Sequence, residues 1–248
     1  MIEVEKNERV LHLKLNIPPV NVLDTANCQE LAQKLKEAST DNNLAAVVIS
    51  GEGKCFSAGA SVEEHKKEKA EKMIGAFAEA CKSLYQLPVP SAILVHGFCF
   101  GGALELAMFG DFIIADPSAK LAVPEISLAF FPPFACTALP GIMGRQNAAH
   151  MIFSGETIDA ERGLSIGLVQ RIVEQAEWNT VIHRFNKTSA PVLRLAKKAF
   201  NLGTKNIFDK NFDLIVNNLF VNDLYKIKDV SEGINSFSEK RKPLWKHE

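Results

Sequence analysis

The chain has 248 residues, 47% of them hydrophobic, and a formal net charge of −1. This length suits one large domain, or a core with a helical appendage. The apolar share excludes a disordered chain, and the charge gives no reason to expect nucleic acid or an anionic membrane as a main partner.

The N-terminal `IEVEKNERVLHLKL` alternates apolar and charged residues, which predicts two strands about an Asn7-Glu8 turn and no signal peptide. `DTANCQELAQKLKEAST` carries apolar residues at helical spacing after an N-cap at Asp24 or Thr25. `AAVVIS` is uniformly apolar, as in a strand buried on both faces, and the glycine-studded `GEGKCFSAGAS` follows it. One amphipathic helix is predicted from Ser61 to about Leu87, with its early charge run on a solvated face. `SAILVHG` reads as another buried strand, Gly102 to Met108 as a short apolar helix, and `DFIIAD` and `KLAV` as further strands.

From about Phe134 onward the pattern is mostly helical. Strand-helix alternation followed by helices predicts an α/β fold with a helical C-terminal region. The longest apolar run, residues 122–143, is broken by Glu125 and four prolines, so no membrane span is expected. Five cysteines (Cys28, Cys55, Cys81, Cys99, Cys136), odd in number and without a CxxC pair, match neither a disulfide framework nor a zinc site. They fit reduced cytoplasm.

Two glycine loops carry the chemistry. `FSAGAS` and `FCFGGALE` each follow a buried strand and lead into a helix, where backbone N–H groups favour negative charge. Two such amides converging on one point would form an oxyanion hole, and glycine lets a substrate atom approach the backbone. Either loop alone fits packing glycines in a strand-to-helix turn better, and the pair together is what points to a site. Neither has the GxGxxG or GxxxxGK[ST] spacing of a phosphate cradle.

Two glutamates stand in apolar settings. Glu105 lies three residues after Gly102, so a helix starting there brings it back to nearly the same face. Glu125, in `VPEISL`, is the second. Two carboxylates in one apolar pocket raise each other's pKa and can divide acid and base roles. A structural salt bridge is the plain alternative, although no Lys or Arg stands three or four residues from Glu105. Cys99 near His96 reads as a buried, inert thiol, and His65 and His150 as structural. The basic tail `KRKPLWKH` fits either an anion contact or a solvated terminus.

In order along the chain, `KCFSAGAS`, `HGFCFGGALELA`, `GDFIIADPSAKLAVPEISLAF` and `EGINSFSEKRKP` resemble the enoyl-CoA hydratase/isomerase (crotonase) superfamily. The resemblance implies a crotonase (ClpP-like) α/β fold: a repeated ββα superhelical core over residues 1–190, and a helical trimerisation region over 191–248. It implies the amides of Ala60 and Gly102 as the oxyanion hole for a thioester carbonyl, Glu105 as base, Glu125 as acid, and Ala58 at the adenine end of coenzyme A. Coenzyme A is then part of the substrate, with no metal or separate cofactor, and the partners are further copies of the chain in a trimer or hexamer.

The chain departs from the family's common pattern at Ser61, where Asp is usual, and in `LAFFPPFACTALP`, where a glycine-rich segment is usual. That bulky segment is similar to cyclohexa-1,5-diene-1-carbonyl-CoA hydratases, which implies Phe130, Phe131 and Phe134 as a wall against a flat ring. The same phenylalanines as ordinary core would leave a general short-chain hydratase. A Δ3-Δ2 isomerase and a non-catalytic acyl-CoA- or RNA-binding module are the remaining readings.

Overall fold

Alternating apolar strands build the frame. In the computed structural model, which describes residues 1–204, 208 and 210–246, six strands form one sheet in the order β1-β2-β3-β4-β6-β9. They are β1 (Ile2–Asn7), β2 (Val10–Leu15), β3 (Ala46–Gly51), β4 (Ser91–Val95), β6 (Phe112–Ala115) and β9 (Arg171–Ile172). β1 and β2 pair antiparallel about a turn at Glu8-Arg9, one residue later than predicted, and the other pairings are parallel. A second sheet orders β5 (Phe98–Phe100), β7 (Lys120–Ala122) and β8 (Ile158–Asp159). Ser57 adds a parallel bridge to Cys99 at its edge. The chain thus climbs in repeated turns, one strand to each sheet, as β4-β5 and β6-β7 do.

Strand periodicity explains the burial. Val47, Ile49, Ile93 and Val95 face the main core, while Ala46, Val48, Ala92 and Leu94 face a smaller one closed by Trp178 and Ile182. Both faces of β3 and β4 are therefore dry, as their uniformly apolar sequences require. The cover on the second face is helix α7 (Trp178–Asn186), which has no counterpart among the predicted elements.

Helix α1 (Thr25–Thr40) starts at Asp24, whose side chain accepts from the Asn27 amide, and packs on α2 (Lys67–Tyr85). The single predicted helix from Ser61 to Leu87 is in fact two pieces. A 3₁₀ turn, Val62–His65, precedes α2, and Lys66 between them is extended. The break has tertiary causes: Glu64 turns aside to accept from the Thr25 amide and hydroxyl, and Tyr225 Oη donates to the His65 carbonyl.

α3 (Gly102–Ala107) is a short buried helix, and a second 3₁₀ turn, Pro124–Leu128, follows β7. Then come α4 (Pro133–Met143), α5 (Arg145–Ser154), α6 (Ala160–Ser165) and, after α7, α8 (Ala190–Gly203). β8 and β9, each two residues long, interrupt the run expected to be helical after Phe134, because both complete existing sheet edges. A turn of α9 (Lys210–Asp213) passes into π-helix over Leu214–Asp223, then a 3₁₀ turn and α10 (Lys228–Ser238). No helix among the described residues is long and apolar enough to cross a membrane.

Candidate active site

The first glycine loop is braced by a buried amide. Asn21 Nδ2 donates to the carbonyls of Glu52, Cys55 and Phe56, and Ser57 Oγ donates to the Asn21 carbonyl at 2.6 Å. Leu23 then pairs in parallel with this loop: its amide donates to Gly59 and its carbonyl accepts from Ser61. That pattern uses the groups on either side of Ala60 and leaves the Ala60 N–H over. Ala60 does not stand at the start of α2, as the single-helix expectation had it, but just before the Val62–His65 turn.

The second loop meets it. Gly101 (φ 53°) donates to the Ala122 carbonyl and turns the chain so that Gly102 opens α3. A methyl built on Gly102 would stand 3.0 Å from Ala60 Cβ and 3.1 Å from Ala60 N, so only glycine lets these two backbones meet without displacement. Among the described residues, neither the Ala60 nor the Gly102 amide has a hydrogen-bond acceptor. Two unpaired donors side by side are what an oxyanion requires.

Glu105 is 5% exposed and has no cationic partner among the described residues. Its Oε1 instead accepts the Phe134 and Ala135 amides, both at 2.9 Å, at the N-terminus of α4. Pro133 at the first position of that helix has no N–H to spare, so the next two amides take the carboxylate. Burial pushes the Glu105 carboxyl well above the usual range and nearby Glu125 adds to this, while the two amides pull the other way.

Glu125 sits on the Pro124–Leu128 turn, and its carboxyl lies against Gly101: a methyl there would be 2.6 Å from Oε1. The residue is half-buried, but Oε2 is enclosed and without a hydrogen-bond partner among the described residues. Burial raises this carboxyl from 4.5 to about 7. Its acid form therefore persists well above the usual carboxylate range, a state suited to giving and taking a proton.

One cavity of about 330 Å³ gathers all of these groups. Ala58, Ala60, Gly102, Glu105, Glu125, Phe130, Phe131 and Phe134 all line it. Phe130 and Phe134 are buried, Phe131 half-buried, and Ala58 is exposed. Phe134 stacks edge-on to Phe77 at 4.8 Å, and Phe130 to His65 at 5.2 Å. The Phe-Pro segment does two things, since it supplies aromatic wall and also forms the helix start that holds Glu105.

Sequence reasoning missed His65 and Phe220 in the wall. The only signal for His65 was its place five residues after Ala60; Phe220 comes from the π-helical segment and carries none. A larger cavity of about 770 Å³ lies beside α4 and α8, with Tyr85, Phe109 and Phe200 among its walls. Among the described residues it holds no carboxylate pair, and its Asp111 is tied to Lys197 and Ser91. The chemistry belongs to the smaller one.

Other expectations resolve simply. Cys99 is fully buried and its thiol is pushed far up by burial, which makes it inert. His150 is exposed beside Glu156. In the basic tail, Arg241 folds back on Glu232 and Glu239, so that cation is already paired; His247 lies outside the described residues.

Known proteins share this arrangement of chain. The sequence profile of the enoyl-CoA hydratase/isomerase family matches residues 5–248. The chain is 32% identical to the cyclohexa-1,5-dienecarbonyl-CoA hydratase of Thauera aromatica, over 98% of its own length and 95% of the relative's. It is also 32% identical to a probable enoyl-CoA hydratase of Bacillus subtilis, over 100% and 99%. Its fold superposes on the crystal structure of an enoyl-CoA hydratase from Mycobacterium avium subsp. paratuberculosis with a TM-score of 0.86 at 24% identity, covering 98% of each chain. With its crotonase fold matched along nearly the whole length, this chain is an enzyme of the enoyl-CoA hydratase/isomerase family.

Proposed function

We propose that the protein hydrates an α,β-unsaturated acyl-CoA thioester whose acyl group is a flat ring, of the cyclohexa-1,5-diene-1-carbonyl-CoA type. The observation that carries the reaction is the pair of buried carboxyls, Glu105 and Glu125, in one cavity with two unpaired amides. The phenylalanine wall and the likeness to the Thauera hydratase support the ring.

The thioester oxygen accepts from Ala60 and Gly102, which draws electrons out of the conjugated alkene and stabilises the enolate-like transition state. Glu105 takes a proton from water as its oxygen adds to the alkene. Glu125 gives a proton to the carbon that closes the enolate, and the glutamates then exchange the proton through the next water. Every proton moves between water, substrate and these two side chains, so the steps call on no metal or separate cofactor. Ala58, at the exposed end of the cavity, lies toward the adenine of coenzyme A. An isomerase needs only one such acid, and two in one cavity favour hydration.

Residues 191–248 act as an assembly region, giving a trimer or, from two trimers, a hexamer. The apolar Val192, Leu195, Phe200 and Leu202, all exposed on α8 away from the buried Ala190 and Lys197, support this. The five free thiols, four of them buried, suit a reducing cytoplasm.

The test is a side-by-side hydration assay with crotonyl-CoA and cyclohexa-1,5-diene-1-carbonyl-CoA. Preference for the cyclic diene supports the ring reading, and preference for crotonyl-CoA assigns the aromatic wall to a general hydratase. Hydration of neither, or full activity in Glu125→Gln, overturns the mechanism.

A further inference from the structure

Three polar side chains line the active-site cavity among the described residues: Glu105, Glu125 and His65. The proposed reaction uses the first two. His65 closes the 3₁₀ turn that follows the Ala60 amide, and the structure fixes it from three sides. Its Nδ1 is 2.8 Å from the Ser61 carbonyl, which can only accept, so Nδ1 carries the proton and donates. Its own carbonyl accepts from Tyr225 Oη at 2.6 Å. Its ring packs edge-on against Phe130 at 5.2 Å and Phe220 at 6.3 Å.

The other ring nitrogen is left as a lone-pair acceptor. Nε2 has no hydrogen-bond partner among the described residues, and yet it is not among the fully enclosed unpaired atoms, as His96 Nδ1 is. His65 is one of the residues that line the cavity. Burial lowers the imidazole's pKa below its ordinary 6.5, so the ring is neutral at pH 7 and keeps this lone pair. A fixed acceptor among phenylalanines discriminates: it favours a ligand that brings a donor and penalises one that does not. Acyl groups that have taken up water carry such a donor.

We infer that His65 is a specificity-determining residue whose Nε2 accepts a hydrogen bond from a hydroxyl on the acyl group, so that the site holds a hydroxylated acyl thioester, such as the product of hydration, more tightly than the same thioester without the hydroxyl. The inference rests on the acyl-CoA reading of the cavity and adds to it the polar group that the ligand must bear. Glu105 and Glu125 handle the water of reaction, and His65 reads the alcohol.

The test is calorimetric binding, which needs no turnover. Saturated thioesters are compared in pairs that differ by one hydroxyl: butyryl-CoA with 3-hydroxybutyryl-CoA, and cyclohexanecarbonyl-CoA with its ring-hydroxylated isomers. The expected result is that at least one hydroxylated thioester binds the native enzyme about tenfold tighter than its parent. His65→Phe keeps the aromatic packing and removes the acceptor; it erases that preference, so that the hydroxylated thioester and its parent bind alike. His65→Gln, with an amide oxygen as acceptor, restores part of it. Should the Phe variant fail to fold, His65→Leu gives the same comparison. Equal binding within every pair, or a preference that survives in His65→Phe, overturns the inference. Failure of every thioester to bind would instead overturn the acyl-CoA reading beneath it.

Discussion

At the scale of single residues, the site is governed by two burial effects with opposite remedies. Glu105 is deeply buried but is held by two helix-end amides, whereas Glu125 has an enclosed oxygen with nothing to accept from. Glu105→Gln and Glu125→Gln should each reduce hydration by roughly 10²–10⁴-fold with thioester binding retained, as measured by kcat against the binding constant of a saturated analogue. The pH profile follows from the raised value of about 7 for Glu125. Its acid form is lost as pH rises through that value, so kcat for hydration should fall there; a flat profile across neutrality would remove Glu125 as proton donor. Stability carries the same sign. The folded state holds this proton more tightly than the unfolded chain, so the carboxyl's contribution is fully present below its ordinary 4.5 and is lost as pH rises through about 7. Glu125→Gln should thus gain on the native enzyme in thermal unfolding between about pH 5 and about pH 8, by on the order of 1–3 kcal/mol. Gly102→Ala tests the amides: its methyl would crowd Ala60 at 3.0–3.1 Å, and a loss in kcat of about 10²–10³-fold is expected from a spoiled donor.

At the scale of elements, each reactive group is held by a neighbour far away in sequence. α4 orients Glu105, and α10 presses on the turn that carries Glu125. The contact there is backbone on backbone: a methyl on Gly233 would lie 2.0 Å from the Leu128 carbonyl. Gly233→Ala should therefore lift α10 from the turn, lowering stability by about 1–3 kcal/mol and kcat with it. Gly75, exposed within α2 with nothing within 4 Å of a new methyl, is the control. Gly75→Ala should stabilise by up to about 1 kcal/mol and leave kcat unchanged. Equal thermal shifts for the two would mean that α10 does not brace the turn. Much of this was readable beforehand: Gly102 followed by Glu105 at one helical turn, and Asp24 as a cap, are local patterns. The break at Lys66 was not, because its causes, Thr25 and Tyr225, lie about 40 and 160 residues from the turn they hold.

At the scale of the whole molecule, two stacked sheets set the loops after β3 and β5 next to each other, which no single turn of the superhelix could do. The same climb leaves α8 at the periphery, tied to the core through Lys197 and Asp111 while Leu195 and Phe200 stay exposed. Charged substitution of Leu195 and Phe200 together should dissociate the proposed trimer or hexamer, seen as a fall in sedimenting mass. A native protein that already sediments as a monomer would refute the assembly.

By itself the sequence determined the α/β character, the buried strands, the two glycine loops and the candidates Gly102, Glu105 and Glu125, since period-two burial, helix spacing and acids in apolar settings are written locally; Ala60 was singled out by the family resemblance. Only the tertiary structure decided that α4's amides hold Glu105, that Glu125 lies over Gly101, and that His65 and Phe220 complete the cavity. Those relations depend on which backbone groups are left unpaired after folding. Such groups are known only once every strand, turn and helix end has taken its partners.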